Sequence, residues 1–164
     1  MTRLTIILAF GLQCFAYGQT FTGQVYIIAA YFSDDKCEAY AECDCCSSDL
    51  YFLTSDKFCF VSKCISGDTF YKGTYMVTSN KLTLTFDKKY VNELTDEEYN
   101  IVGQETKEDI IDNIEFNIDK CGQKLRLTSS TNGELSNGSR YEQKRETELK
   151  KRLMISKPWK ELSK

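Results

Sequence analysis

The sequence predicts an all-β fold: a small antiparallel barrel or half-barrel, stapled by disulfides and followed by a C-terminal helix. Three observations predict it. Lys81 to Phe86 alternates strictly, with Leu82, Leu84 and Phe86 on one face and Thr83 and Thr85 on the other. The chain is rich in Tyr, Phe, Thr, Ile and Val and holds one proline, Pro158, a composition that suits strands packed on aromatic and branched side chains. Its cysteines are dense for its length, which in an oxidising compartment means a disulfide framework.

The chain opens on a signal-peptide pattern. Arg3 supplies a short positive region, Thr5 to Leu12 is apolar, and Ala16-Tyr17-Gly18 offers small residues on either side of Tyr17. Cleavage is expected after Gly18, giving a secreted or periplasmic protein with residues 19–130 as the β-barrel domain. The apolar run is too short to span a membrane, which needs about 20 residues. No later segment is apolar enough to do so.

Gln24 to Phe32 is apolar on both faces, as in a strand buried on both sides. Ser33 to Cys43 is polar and reads as a short helix capped by Ser33. Leu50 to Leu53 and Phe58 to Lys63 read as strands joined by a turn at Thr54-Ser55-Asp56. Tyr71 to Val77 and Lys81 to Phe86 form the clearest hairpin, turning at Thr78-Ser79-Asn80. Asn92 to Glu108 breaks the strand pattern, and Thr95-x-x-Glu98 has the spacing of a helix capping box. Ile114, Phe116 and Ile118 alternate as a strand, and Leu125 and Leu127 suggest another after Gly122. Residues 131–138 read as a turn-rich linker, and 139–164 as a charged helical tail. Ser139-x-x-Glu142 is a second capping box, with Glu146–Lys150 and Glu148–Arg152 as i,i+4 ion pairs and a thin apolar stripe at Tyr141, Leu149 and Leu153.

Charge is divided along the chain. From Ser139 onward nine Lys and Arg face four Glu, a net of +5, whereas Gln19 to Gly138 has eleven against twenty, a net of −9. An acidic body argues against nucleic-acid binding, which needs a basic face. The basic tail reads first as a solvated helix face.

The absence of histidine removes Ser-His-Asp and Cys-His nucleophilic sites, His-ligated metals and the usual neutral-pH general base. The adjacent acids Asp34-Asp35 and Glu97-Glu98 could serve carboxylate chemistry only if acids, Asp49 among them, converged in a cleft. No catalytic motif is visible, and a non-enzymatic, monomeric binding module for a small ligand or an envelope protein is expected. Tyr26, Phe52, Phe60, Tyr71 and Tyr75 could line a barrel interior, or simply fill it.

Seven cysteines follow the signal segment: Cys37, Cys43, Cys45, Cys46, Cys59, Cys64 and Cys121. The number is odd, so at least one is not paired within the chain, and about 105 pairings are open. Cys45 and Cys46 should bond to different partners, because a bridge between neighbours is strained. Cys43, Cys45 and Cys46 form the one compact cluster. As thiolates they could hold copper or zinc, with Cys59 and Cys64 as further ligands; as disulfides they are scaffold, with no cofactor.

Cys43-x-x-Cys46, the strand at Leu50–Leu53, Gly73-Thr74-Tyr75 and the alternating Lys81–Phe86 occur in an order that resembles the N-terminal domain of the NlpE-type bacterial envelope proteins. The resemblance covers about half of the chain after Gly18. It implies a lipocalin-like barrel with a role in envelope or copper sensing. Members are usually lipid-anchored, whereas Gly11-Leu12-Gln13 before Cys14 does not form a lipidation site.

Overall fold

The computed structural model describes residues 21–43, 46–64, 67–94, 101–106, 112–129 and 136–164. The expected signal segment, Cys45, Glu97, the Thr95-x-x-Glu98 box and residues 131–135 of the expected linker lie outside them. The strands are β1 (Val25–Ala29), β2 (Tyr31–Ser33), β3 (Glu38–Tyr40), β4 (Ser47–Phe52), β5 (Lys57–Lys63), β6 (Thr69–Thr78), β7 (Lys81–Leu94), β8 (Ile101–Thr106), β9 (Ile114–Cys121), β10 (Lys124–Ser129) and β11 (Asn137–Arg140). Two helices, α1 (Gln143–Ile155) and α2 (Lys157–Leu162), follow.

Eight strands close a barrel. In the order β1-β4-β5-β6-β7-β9-β10-β11 each pairs antiparallel with the next, and β11 returns to β1. Every barrel neighbour is also the next barrel strand in the chain, the up-and-down arrangement that leaves no free edge. Two excursions interrupt the meander: the β2–β3 ribbon between β1 and β4, and β8, which pairs with the far half of β7 at Lys89–Leu94.

Alternation fills the interior. Tyr26 and Ile28, Leu50 and Phe52, Phe58 and Phe60, Leu82, Leu84 and Phe86, and Phe116 and Ile118 all point inward, in a cluster of 15 buried side chains. Rings meet edge to face, as Phe52 does Tyr75 with centroids 4.8 Å apart and Phe58 does Phe86 at 5.0 Å. An eight-stranded barrel is just wide enough for such filling. The aromatics that could have lined a chamber are therefore its contents.

One extra residue changes the face that β7 presents. Between Lys72 and Gly73 of β6 the register shifts, so that Phe86 opposes Gly73 and Lys88 opposes Lys72, leaving Asp87 as a bulge. Tyr90 then falls outside, opposite Phe70, instead of continuing the inward series. Gly73 sits where a side chain would overlap the Thr85 carbonyl.

A second apolar cluster lies on the outer face. Val25, Tyr51, Cys59, Val61, Phe70 and Tyr90 are covered by Leu149 and Leu153 of α1 and Leu162 of α2. The charged tail is thus a packed layer, with its thin stripe turned to the barrel. Ser156 joins the helices: its Oγ accepts from the Trp159 N–H at 3.3 Å and donates to the Leu153 carbonyl at 2.7 Å. Lys72 reaches the last turn of α2, donating to the Leu162 carbonyl at 2.8 Å. No helix among the described residues is long and apolar enough to cross a membrane.

Several local expectations are corrected. Ser33 to Cys43 contains no helix; β2 and β3 pair there as Tyr31↔Tyr40 and Ser33↔Glu38. Asn137–Arg140, expected as linker and helix start, is the strand that closes the barrel. The Ser139 hydroxyl does not cap α1 but accepts from the Ala39 N–H at 2.8 Å, and Glu142 at the N-cap makes no side-chain cap. The stretch from Asn92 carries β7 on to Leu94 and holds β8. In α1, Glu146 pairs with Arg140 and Glu148 with Arg145, not with Lys150 and Arg152.

The ribbon is pinned over the outside of β10 and β11. Arg126 bonds Asp34 at 3.2 Å and lies 4.0 Å from the centre of the Phe32 ring. The Cys37–Cys121 disulfide ties the ribbon tip to the end of β9, across a sequence separation of 84. Chain-entropy reasoning gives such a closure on the order of 4–5 kcal/mol of stabilisation.

Candidate functional site

The cysteine cluster resolves largely into bridges. Cys43 bonds to Cys46 and Cys37 to Cys121, and Cys64 is also disulfide-bonded. A sulfur in a disulfide is not the thiolate that copper or zinc needs. Cys59 is the free thiol among the described residues; it is fully buried in the outer cluster, and burial pushes its ionisation well above the ordinary thiol range. Among the described residues no group of three or more Cys, Asp or Glu converges as a metal site. Asp34 lies in the ribbon turn, bound to Arg126, and Asp49 lies within β4, so the two acids sit on different elements.

The richest polar arrangement surrounds Asp49. It follows Ser47 and Ser48 in β4, lies on the outer face with Tyr51, and is only 2 % exposed. Asp49 opposes Val61 in the β4–β5 pair, which places Lys63 on its diagonal. Lys63 Nζ reaches Asp49 Oδ1 at 2.7 Å. The Tyr141 hydroxyl donates to the same oxygen at 2.8 Å, and the Tyr51 hydroxyl to Oδ2 at 3.3 Å. Burial first, and then the Asp49 charge, push both phenols far above the ordinary tyrosine range. They remain donors at any physiological pH, which holds the carboxylate fixed.

Beside this cluster a cleft of about 430 Å³ runs between the outer face of β4–β6 and α1. Its bed is Tyr51, Val61, Phe70, Leu149 and Leu153; its polar margin is Asp49, Lys63, Asp68, Arg145, Arg152 and Ser156. Arg145 and Arg152 are seven residues apart, two helical turns, so they stand on one side of α1. Asp68 precedes β6 and is half-buried. Its loss of solvent raises the carboxyl above the usual range, against the lowering effect of a Cys64 backbone hydrogen bond and of Lys63. An apolar bed with a few converging polar groups, one of them shifted, is the usual makeup of a ligand site.

A latch holds α1 over this cleft. Glu146, buried in the first turns of the helix, accepts from Arg140 Nε at 2.8 Å and Nη2 at 2.9 Å and from the Val25 N–H at 3.0 Å. Burial alone would raise its carboxyl. The Arg140 and Val25 hydrogen bonds and the Arg140 and Lys150 charges outweigh that and hold it below the usual range. Helix, β11 and β1 are thereby joined through one side chain. A larger cleft of about 490 Å³ lies at the barrel end, where Tyr26, Leu125 and Tyr141 stand among Gln24, Gln123, Lys124, Arg140, Glu142 and Gln143; among the described residues, no helix face covers it with leucines as α1 does the first.

None of these margin residues except Asp49 and Lys63 had a signal in the sequence. The hairpin turn at Thr54–Asp56 implies the Asp49↔Val61 pairing, and so the Lys63 diagonal. Arg145, Glu146 and Arg152 read only as a solvated helix. Comparison with known protein families, curated proteins and solved structures finds no match to this chain.

Proposed function

We propose that the protein is an exported, non-enzymatic binding module whose ligand lies between α1 and the outer wall of the barrel, not inside it. The observation that carries this reading is the contrast between a side-chain-filled interior and a cleft beside α1 whose floor is the edge of the outer apolar cluster and whose margin is charged. The disulfides suit an oxidising compartment, and with the signal-like segment at the start of the chain they support export. The up-and-down barrel is compatible with a lipocalin-like ancestry, as the resemblance to the NlpE-type domain implies, but the cleft moves the ligand to a different face.

The test uses N-phenyl-1-naphthylamine, a neutral apolar fluorophore. It is expected to saturate at one molecule per chain, and Val61→Trp, which fills the cleft, is expected to abolish the signal while the far-ultraviolet circular dichroism stays native. Absence of saturable binding, or binding that survives Val61→Trp in a folded chain, contradicts the reading.

A further inference from the structure

The charges around the cleft do not cancel. Lys63 is neutralised by Asp49, at 2.7 Å. Among the described residues Arg145 makes one ion-pair contact, at 3.7 Å to Glu148, which is not among the residues lining the cleft. Arg152 makes no ion pair among the described residues and lines the same cleft. Two guanidinium groups therefore stand against one acid, Asp68, and the margin is left with about one positive charge.

Resting on the reading of the cleft as a ligand site, we infer that it takes a monoanionic amphiphile, of the chemical class of a medium-chain carboxylate. The apolar body lies on Val61, Phe70, Leu149 and Leu153, and the head meets Arg145 and Arg152. Three features of the cleft select this class. A bed of aliphatic and phenyl surface stabilises an apolar body in proportion to the area it removes from water. The planar, weakly hydrated guanidinium matches a carboxylate through two parallel hydrogen bonds. Asp68, retained at the margin, repels a second negative charge and disfavours dianions.

The test is displacement of N-phenyl-1-naphthylamine by decanoate, decanol and decyltrimethylammonium, which share a ten-carbon chain and differ in the charge of the head. Each protein's own affinity for the fluorophore is measured first, so that the three competitors are compared as ratios within one variant. Decanoate is expected to displace at a concentration at least tenfold below decanol and decyltrimethylammonium. The double variant Arg145→Gln/Arg152→Gln is expected to cut the decanoate advantage over decanol to below threefold. Arg152→Lys is expected to retain part of it, and Asp68→Asn to widen it severalfold. Equal potency of decanol, greater potency of the cation, or an advantage that survives the double variant overturns the anionic class and leaves the binding module standing. A chain that takes up no fluorophore overturns both.

Discussion

The two apolar clusters of this protein are built by opposite means. Inside the barrel, 15 side chains from all around the wall close on one another, and the only polar atoms among them are tyrosine hydroxyls at the margin. Of the three, Tyr75 donates its hydroxyl to the Thr54 carbonyl at 2.8 Å and Tyr26 to the Gln24 side chain at 3.1 Å. Outside, nine side chains are sandwiched between the wall and two short helices, and the seam carries Asp49, Glu146 and their partners. A barrel strand is held by neighbours on both sides. A helix of 13 residues and one of six are held by one face each, and helices of that length have little stability of their own. The inner cluster is thus held from every side of the barrel, whereas the outer one depends on two short helices, and the outer one is expected to open first.

The sharpest way to break that distinction is to cut a hole in each cluster. Phe116→Ala, at the centre of the interior, is expected to cost about 4 kcal/mol and to lower the whole unfolding transition. Leu153→Ala under α1 is expected to cost nearer 2 kcal/mol, because a surface layer can settle into the space. Its loss should appear in the fluorescence of Trp159, the single tryptophan, before the far-ultraviolet signal of the strands moves. Coincident transitions for both probes in Leu153→Ala would mean one cooperative unit, and the comparison would fail.

The Glu146 latch sharpens the comparison through pH. Its folded-state ionisation lies below that of a free glutamate, about 4.3. The stabilisation it brings is therefore complete above that value and is lost as pH falls through the lower, folded one. The helix layer should loosen on acidification, seen as a Trp159 transition. Glu146→Gln, expected to cost about 1–2 kcal/mol at neutral pH, should remove that acid dependence. An acid transition of Trp159 unchanged in Glu146→Gln would place the titrating group elsewhere.

Legibility in the sequence follows the same division. The interior was readable because a strand with one face buried must alternate: Leu82, Leu84 and Phe86, or Ile114, Phe116 and Ile118, declare their face locally. What failed was where local and tertiary rules compete. Asn137-Gly138 reads as a turn, yet Gly138 is in β11 because Ile28 and Leu127 fill the place a side chain would take. Ser33 to Cys43 looks polar enough for an exposed helix, but the Cys37–Cys121 bridge and Arg126 hold it as a ribbon. Alternation carried past Phe86 puts Tyr90 on the wrong face, since nothing in the sequence marks the bulge at Asp87. The cleft was the least legible part. Its arginines and its glutamate latch come from a segment whose composition is that of a solvated helix, and their meaning depends on which wall the helix lies against.

Cys59 offers the most direct measurement, because its thiol is buried in the wall of β5 within the outer cluster. Its rate of alkylation in the native protein reports how often the helices lift. Labelling is expected to run faster than global unfolding allows and to slow in proportion to bound N-phenyl-1-naphthylamine, since a ligand in the cleft holds α1 down. Labelling only at the rate of global unfolding, or at a rate the fluorophore leaves unchanged, would contradict that expectation.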